Sequence, residues 1–195
     1  MNTQIVKTAT QSVESRLIDT LVLAFSTDPG ARWSWPDPQQ YLRYFPEMVK
    51  AFAGKAFEHG SAYYNEGYFG AALWLPPDVH PDDEAMTALL RKSTSPEVQK
   101  DIFAVFEQME SYHPSEPFWY LPLLGVDPFL QGNGLGSALL KYALVRCDSE
   151  KKFAFLESTN PRNVPLYERH GFEVIGKIQK GTSPILYPML RKPKS

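Results

Sequence analysis

Val126-Asp127-Pro128-Phe129-Leu130-Gln131-Gly132-Asn133-Gly134-Leu135-Gly136-Ser137 is the segment on which the fold turns. Before it runs Phe118–Val126, a nearly unbroken apolar stretch of the kind a strand buried on both faces requires. After it, residues 135–147 read as a helix and 153–157 as the next strand. Strand, glycine loop, helix, strand implies a parallel pair joined by a crossover helix. Glycines at 132, 134 and 136 let the backbone turn tightly and approach a ligand. The helix start behind them offers unpaired N–H groups and the positive end of a dipole, an anion site suited to phosphate.

The loop does not match the usual nucleotide signatures. A Walker A loop needs Gly-Lys-Ser/Thr, and here Gly136 is followed by Ser137 and Ala138. A dinucleotide loop needs Gly-x-Gly-x-x-Gly directly after its strand, but position 137 is Ser and residues 127–131 intervene. Glu157, at the end of the next strand, stands where a ribose-binding acid would lie, so a nucleotide-cofactor oxidoreductase stays as an alternative. A purely structural glycine turn accounts for the glycines equally well.

Outward from the loop, strands and helices alternate. Residues 4–8 read as a short strand, and 12–25 as a helix with Leu17, Ile18, Leu21 and Phe25 at helical spacing. Asp37-Pro38 gives an N-cap and first helical position, with Gln40 completing a capping box, and Pro46 should kink or split the helix that follows. Residues 61–64 and 68–75 read as a hairpin. Pro76-Pro77 ends it, 81–92 reads as a short helix, and Ser95-Pro96 opens another. Asn160-Pro161 caps a short helix that stops at Gly171, and 172–178 and 184–190 read as a final antiparallel pair.

The chain has 195 residues, suited to one domain over 1–195. It is 43% hydrophobic and 22% charged, which excludes global disorder. Its formal charge of −2 argues against nucleic acid or a membrane surface as partner. One cysteine cannot form an internal disulfide, and four histidines without ligand spacing predict no metal. Residues 1–11 are polar and lack a signal-peptide core, and the apolar runs fall short of the ~20 residues that span a bilayer, so a cytoplasmic location is expected.

Gln131-x-x-Gly134-x-Gly136 resembles the acetyl-CoA loop of the GNAT acetyltransferase superfamily. Leu124-Gly125-Val126-Asp127-Pro128 is similar to that family's fourth strand and its exit, and Asn160 with Leu166-Tyr167-Glu168-Arg169-His170-Gly171-Phe172 to its Asn…Leu-Tyr-Glu-x-x-Gly-Phe segment. Closer matches in 131–138, 155–159 and 161–169, with the ending Met189-Leu190-Arg191-Lys192-Pro193, resemble the puromycin-type antibiotic acetyltransferases. The resemblance covers roughly 117–193; the first half matches only around Ala24-Phe25 and Asp28-Pro29. It implies a mixed α/β domain whose central twisted sheet has about six to seven strands flanked by helices. Residues 1–117 would form the acceptor side and 118–195 the acetyl-CoA side.

The resemblance also implies roles. Amides of Gly132, Asn133, Gly134, Leu135, Gly136 and Ser137, behind Gln131, would hold the CoA pyrophosphate. The strand at Leu124, Gly125 and Val126 would pair with the pantetheine arm, with the Val126 N–H polarising the thioester carbonyl. Pro122, which has no N–H, marks a strand irregularity that either serves this opening or is a plain bulge. Tyr167 would protonate the departing thiolate, against the alternative of a packed core tyrosine. Glu157 would be the general base, or a salt-bridge partner of Arg162 or Arg169. Asn160 and Asn163 match cofactor-contacting positions, although Asn160 is also a good cap. Cys147 shares a helical face with Leu140, Ala143 and Leu144, so it reads as a core thiol and transfer as direct.

Residues 28–74 hold 12 aromatics in 47 positions. Most should pack in the core. Trp33, Tyr64, Trp74 and Trp119 are the candidates for acceptor walls, suited to a planar or apolar amine. The expected activity is acetyl-CoA-dependent N-acetylation of a small-molecule amine by a monomer or homodimer, with a non-catalytic acyl-CoA-binding module as the other alternative.

Overall fold

The computed structural model describes residues 5–194; Gln4, where the first strand should start, lies outside the described residues. The first half contains β1 (Val6–Thr8), α1 (Glu14–Ala24), α2 (Pro29–Ser34), α3 (Pro38–Ala53), α4 (Lys55–Glu58), β2 (Ala62–Asn65), β3 (Gly70–Leu75), α5 (Asp83–Ser93) and α6 (Pro96–Tyr112). The second contains β4 (Phe118–Val126), α7 (Leu135–Ser149), β5 (Phe153–Ser158), α8 (Val164–Glu168), β6 (Glu173–Val174) and β7 (Tyr187–Arg191).

The caps read from sequence are in place. Asp37 accepts from the Gln40 N–H at 2.9 Å, Ser95 from Val98 at 3.5 Å and Asn160 from Arg162 at 3.0 Å. The short helix α2 was not foreseen. It is opened by the same Asp-Pro signal, at Asp28-Pro29, but six residues are too few for periodicity to reveal. Pro46 does not split α3. The carbonyl it leaves without a partner belongs to Leu42, an exposed residue where water can take over.

One mixed sheet has the order β1-β2-β3-β4-β5-β7-β6. Only β4 and β5 run parallel, because α7 carries the chain back between them. The last pair is shorter than expected. Strand β6 spans two residues and β7 lies inside it against β5, with only an isolated bridge between Ile178 and Leu186 continuing the pairing. Among the described residues no helix is long and apolar enough to cross a membrane.

Each face of the sheet carries its own core. Leu73, Leu75, Tyr120 and Phe155 face α1, α3, α5 and α6, packing with Leu17, Leu21, Tyr41 and Phe45. Trp74, Trp119, Ala154 and Leu156 face α7 and α8, packing with Leu139, Leu140, Phe172 and Met189. Strand β4 changes phase once. Leu121 shares a face with Trp119, yet Leu123 shares one with Tyr120. The register shows why: Leu73 pairs with Leu123 and Leu75 with Tyr120, so β4 carries one extra residue at Leu121-Pro122.

Candidate active site

The bulge coincides with a parting of strands. Strands β4 and β5 pair only from Phe118↔Phe153 to Tyr120↔Phe155, after which both continue without each other. Pro122 has no N–H to offer across the gap. Beyond it the β4 amides alternate. Asp127 N–H donates to Phe69 O at 2.8 Å, so Gly125 and Leu123 also face β3, while Leu124 and Val126 present their N–H groups to the gap. The Val126 carbonyl, on the same side, accepts from Gln131 Nε2 at 3.3 Å. Gly125 is required by packing: a Cβ there would meet the Ala24 Cβ at 2.7 Å, where α1 ends against β4.

The glycine loop follows. Asp127 caps a 3-10 turn at Pro128–Leu130, and Gly132 and Gly134 take positive φ of 80° and 83°. A Cβ at either glycine would meet nothing within 4 Å, so the loop backbone is open on that side. The helix ladder begins with Ala138 N–H to Gly134 O at 2.9 Å. That leaves the Leu135, Gly136 and Ser137 N–H groups without an acceptor among the described residues. Ser137 Oγ lies 2.8 Å from His170 Nε2.

These elements border a cleft of about 400 Å³. Of the residues expected at the cofactor, Leu124, Gly125, Val126, Gln131, Gly132, Gly134, Leu135, Gly136, Ser137, Asn160 and Asn163 line it. Asn133 and Tyr167, also expected at the cofactor, do not: the Asn133 side chain turns back to the Leu130 carbonyl at 3.1 Å, and Tyr167 lines the adjoining cavity. Arg162 and Arg169 line the cleft too, so fixed positive charge supplements the loop amides. Ala24, Phe25, Thr27 and Asp28 close it from the first half of the chain, so the expected division into an acceptor half and a cofactor half is not clean.

A second cavity, about 150 Å³ and mostly apolar, meets the cleft at Phe25, Asp28, Leu124 and Asn163. It sits where the parted strands let the two faces of the sheet communicate. Tyr167, from the α8 face, and Glu157, from the opposite face, therefore line the same space. The Tyr167 ring packs against Phe172 at 6.0 Å, as the core reading required, while also lining the cavity. Burial, aided by the nearby Asp28 carboxylate, pushes its ionisation far up, so it holds its proton.

The Glu157 side chain is 3% exposed. Among the described residues neither Arg162 nor Arg169 pairs with it, which corrects the expected partners: both arginines lie at the cleft, and the basic side chain at ion-pair distance is His113. Tyr120 Oη donates to Glu157 Oε2 at 2.8 Å, and His113 Nε2 stands 3.7 Å from Oε1. Burial raises the Glu157 pKa, outweighing the opposite pull of His113 and Tyr120. Asp28 is likewise buried and raised by desolvation, against bonds from Thr159, Ala31 and Gly30.

Of the four proposed wall residues only Trp33 lines the cavity; its indole donates to Thr182 Oγ1 at 3.0 Å. Trp74 and Trp119 are corrected. Strand alternation turns both toward α7, where Trp119 donates to Glu150 at 2.8 Å. Tyr64 is corrected as well: it stacks on Tyr68 at 5.0 Å across the hairpin, away from the cavity. The walls come instead from Phe25, Trp35, Met48, Phe52, Met86, Phe106 and Met109. Cys147 is buried and its pKa is pushed up to about 12 by desolvation, so it is no nucleophile.

Asp28, Thr159, Tyr120 and His113 were not singled out from sequence as site residues. Asp28 carried a usable signal in its cap motif; the others meet the site only through the fold.

The model of the acetyltransferase (GNAT) family matches residues 28–172. An uncharacterised N-acetyltransferase of Schizosaccharomyces pombe is 26% identical over 167 residues, covering 78% of this chain and 68% of the relative. A crystal structure described as histone acetyltransferase HPA2 and related acetyltransferase, from Corynebacterium glutamicum, matches at TM-score 0.70 and 26% identity, over 99% of this chain and 98% of that one. The polyamine N-acetyltransferase of Drosophila melanogaster shares the fold at TM-score 0.67 and 15% identity, over 96% and 99% of the two chains.

Proposed function

The chain belongs to the GNAT acetyltransferase family and is an N-acetyltransferase, and from that premise we propose that its acceptor is the primary amine of a small molecule with an apolar body. The observation that carries this reading is the junction of an amide-lined cleft with an apolar cavity at the parting of β4 and β5. The family uses acetyl-CoA, which supplies the acetyl thioester and the thiol leaving group. Open amides at Leu135, Gly136 and Ser137, with Arg162 and Arg169, fit its phosphates. The unpaired edge of β4 fits its amide-bearing arm.

The chain's own groups then divide the work. The Val126 N–H faces the gap and is aimed to polarise a carbonyl there. Glu157 takes a proton from the incoming ammonium; its raised pKa makes it a better base than an ordinary carboxylate. Tyr167 keeps its proton against solution pH and holds it for the leaving sulfur. Trp33 and the methionine and phenylalanine walls exclude water and hold the body of the amine.

The loop and α8 motifs support kinship with the puromycin-type enzymes, which makes puromycin an acceptor to try first. The same reading has residues 1–195 act as one domain, as monomer or homodimer, in the cytoplasm, where thiols stay reduced. The test is thiol release from acetyl-CoA across a panel of puromycin, 2-phenylethylamine, agmatine and a lysine peptide. Turnover greatest with puromycin or 2-phenylethylamine supports the reading, and preference for the peptide or agmatine overturns the acceptor class.

A further inference from the structure

His113 stands where the buried carboxylate of the cavity meets solvent. It follows the last residue of α6, and its backbone N–H bonds to the Glu110 carbonyl at 3.1 Å. Its ring is held between Phe118, Tyr120 and Phe155, with centroids 5.2, 5.7 and 5.1 Å away. Its side chain is 29% exposed, against 3% for Glu157. Glu157 Oε2 is occupied by the Tyr120 hydroxyl, whereas Oε1 is buried without a hydrogen-bond partner and faces His113 Nε2 at 3.7 Å.

A buried base that takes a proton at every turnover must also lose it. Tyr120 cannot carry that proton away, since it already donates to Oε2 and burial keeps it neutral. Asp28 and Tyr167, the other titratable groups lining the cavity, have their own partners or their own proton to keep. The remaining outlet is the Oε1 edge, and imidazole is the side chain suited to shuttling protons near neutral pH.

We infer that His113 is a positioning residue that acts through Glu157, receiving the proton from Oε1 and releasing it to solvent. This rests on Glu157 being the base. One N–H bond of the substrate ammonium breaks, its electron pair stays on nitrogen, and the proton binds Oε1. The Oε1–H bond then breaks, the proton binds Nε2 of the neutral imidazole, and the carboxylate is restored. The imidazolium loses a proton to bulk water. A spacing of 3.7 Å exceeds a hydrogen bond, so transfer needs a small approach of the two side chains.

The experiment uses the full chain with His113→Gln, His113→Ala and Glu157→Gln, and 2-phenylethylamine as probe amine. The relay predicts that His113→Gln lowers kcat about tenfold at pH 7 while KM for acetyl-CoA stays within about twofold. It predicts that added imidazole restores much of the rate to His113→Ala. Wild-type kcat and pH profile in His113→Gln, with Glu157→Gln inactive, overturn the relay alone. Full activity in Glu157→Gln overturns the base beneath it, a separate failure. An arm needing no amine is NMR titration of the Glu157 carboxylate: removing the imidazole in His113→Gln must move it to higher pH, because His113 opposes the rise that burial causes. An unmoved titration overturns the pairing.

Discussion

Thr159 Oγ1 donates a 2.6 Å hydrogen bond to Asp28 Oδ2, joining residues 131 positions apart at the point where cleft and cavity meet. The other Asp28 oxygen accepts from the Gly30 and Ala31 N–H groups and so starts α2. Asp28→Ala removes the cap and orphans the Thr159 hydroxyl. It should cost about 1–2 kcal/mol in urea denaturation, whereas Asp28→Asn, also a good cap, should cost less than half as much.

Tyr167→Phe keeps the packing against Phe172 and removes only the hydroxyl. If that hydroxyl supplies the proton to the leaving sulfur, kcat falls on the order of 100-fold while acetyl-CoA affinity changes less than about threefold. Steady-state kinetics with calorimetric acetyl-CoA titration checks both numbers.

Glu157 has a folded pKa raised by burial. The acidic limb of kcat/KM should therefore lie above the ordinary carboxylate range near ~4.3, and flatten in Glu157→Gln. The stability sign is opposite to that of a salt-bridged acid. A raised folded pKa contributes stability that is fully present below the unfolded pKa and lost as pH rises through the folded one. Glu157→Gln should thus be more stable than wild type at pH 8, with the gap closing toward pH 4 in urea denaturation.

Tyr41, Tyr120 and Tyr167 are all buried with their ionisation pushed up by desolvation. Their contribution is full below the unfolded value near ~10 and declines above it. Stability should fall between pH 10 and 11 by about 1 kcal/mol or more, and Tyr167→Phe should soften that slope.

Gly134 has φ of 83° and open space where a Cβ would stand. Gly134→Ala brings the strain of a left-handed residue, about 1–2 kcal/mol, and places a methyl on the open side of the loop. KM for acetyl-CoA should rise at least about fivefold, with kcat at saturation little changed.

The parts of the fold that were legible in the sequence are those where local chemistry decides. The caps at Asp37, Ser95 and Asn160, the glycine loop, the buried strand and its crossover helix all follow from residue types at fixed spacing. The site was legible on the cofactor side because one continuous segment, 124–137, builds most of it. The acceptor side is assembled from α2, α3, α5 and α6 against the gap, and no spacing predicts which aromatics meet there. Trp74 shows the difficulty: strand alternation put it on the α7 face, and the bulge at Leu121-Pro122 shifts which β4 side chains look the other way. His113 and Glu157 lie 44 positions apart, and only the return of β5 beside β4 brings them together.

The central claim is that an apolar small amine is acetylated where β4 and β5 part. The direct measurement is mass-spectrometric identification of the product from acetyl-CoA and the amine panel, with wild type and Tyr167→Phe side by side. The account predicts N-acetylated puromycin or 2-phenylethylamine from wild type, formed on the order of 100 times more slowly by the variant. Saturable acetyl-CoA binding with no acetylated product from any amine would contradict it.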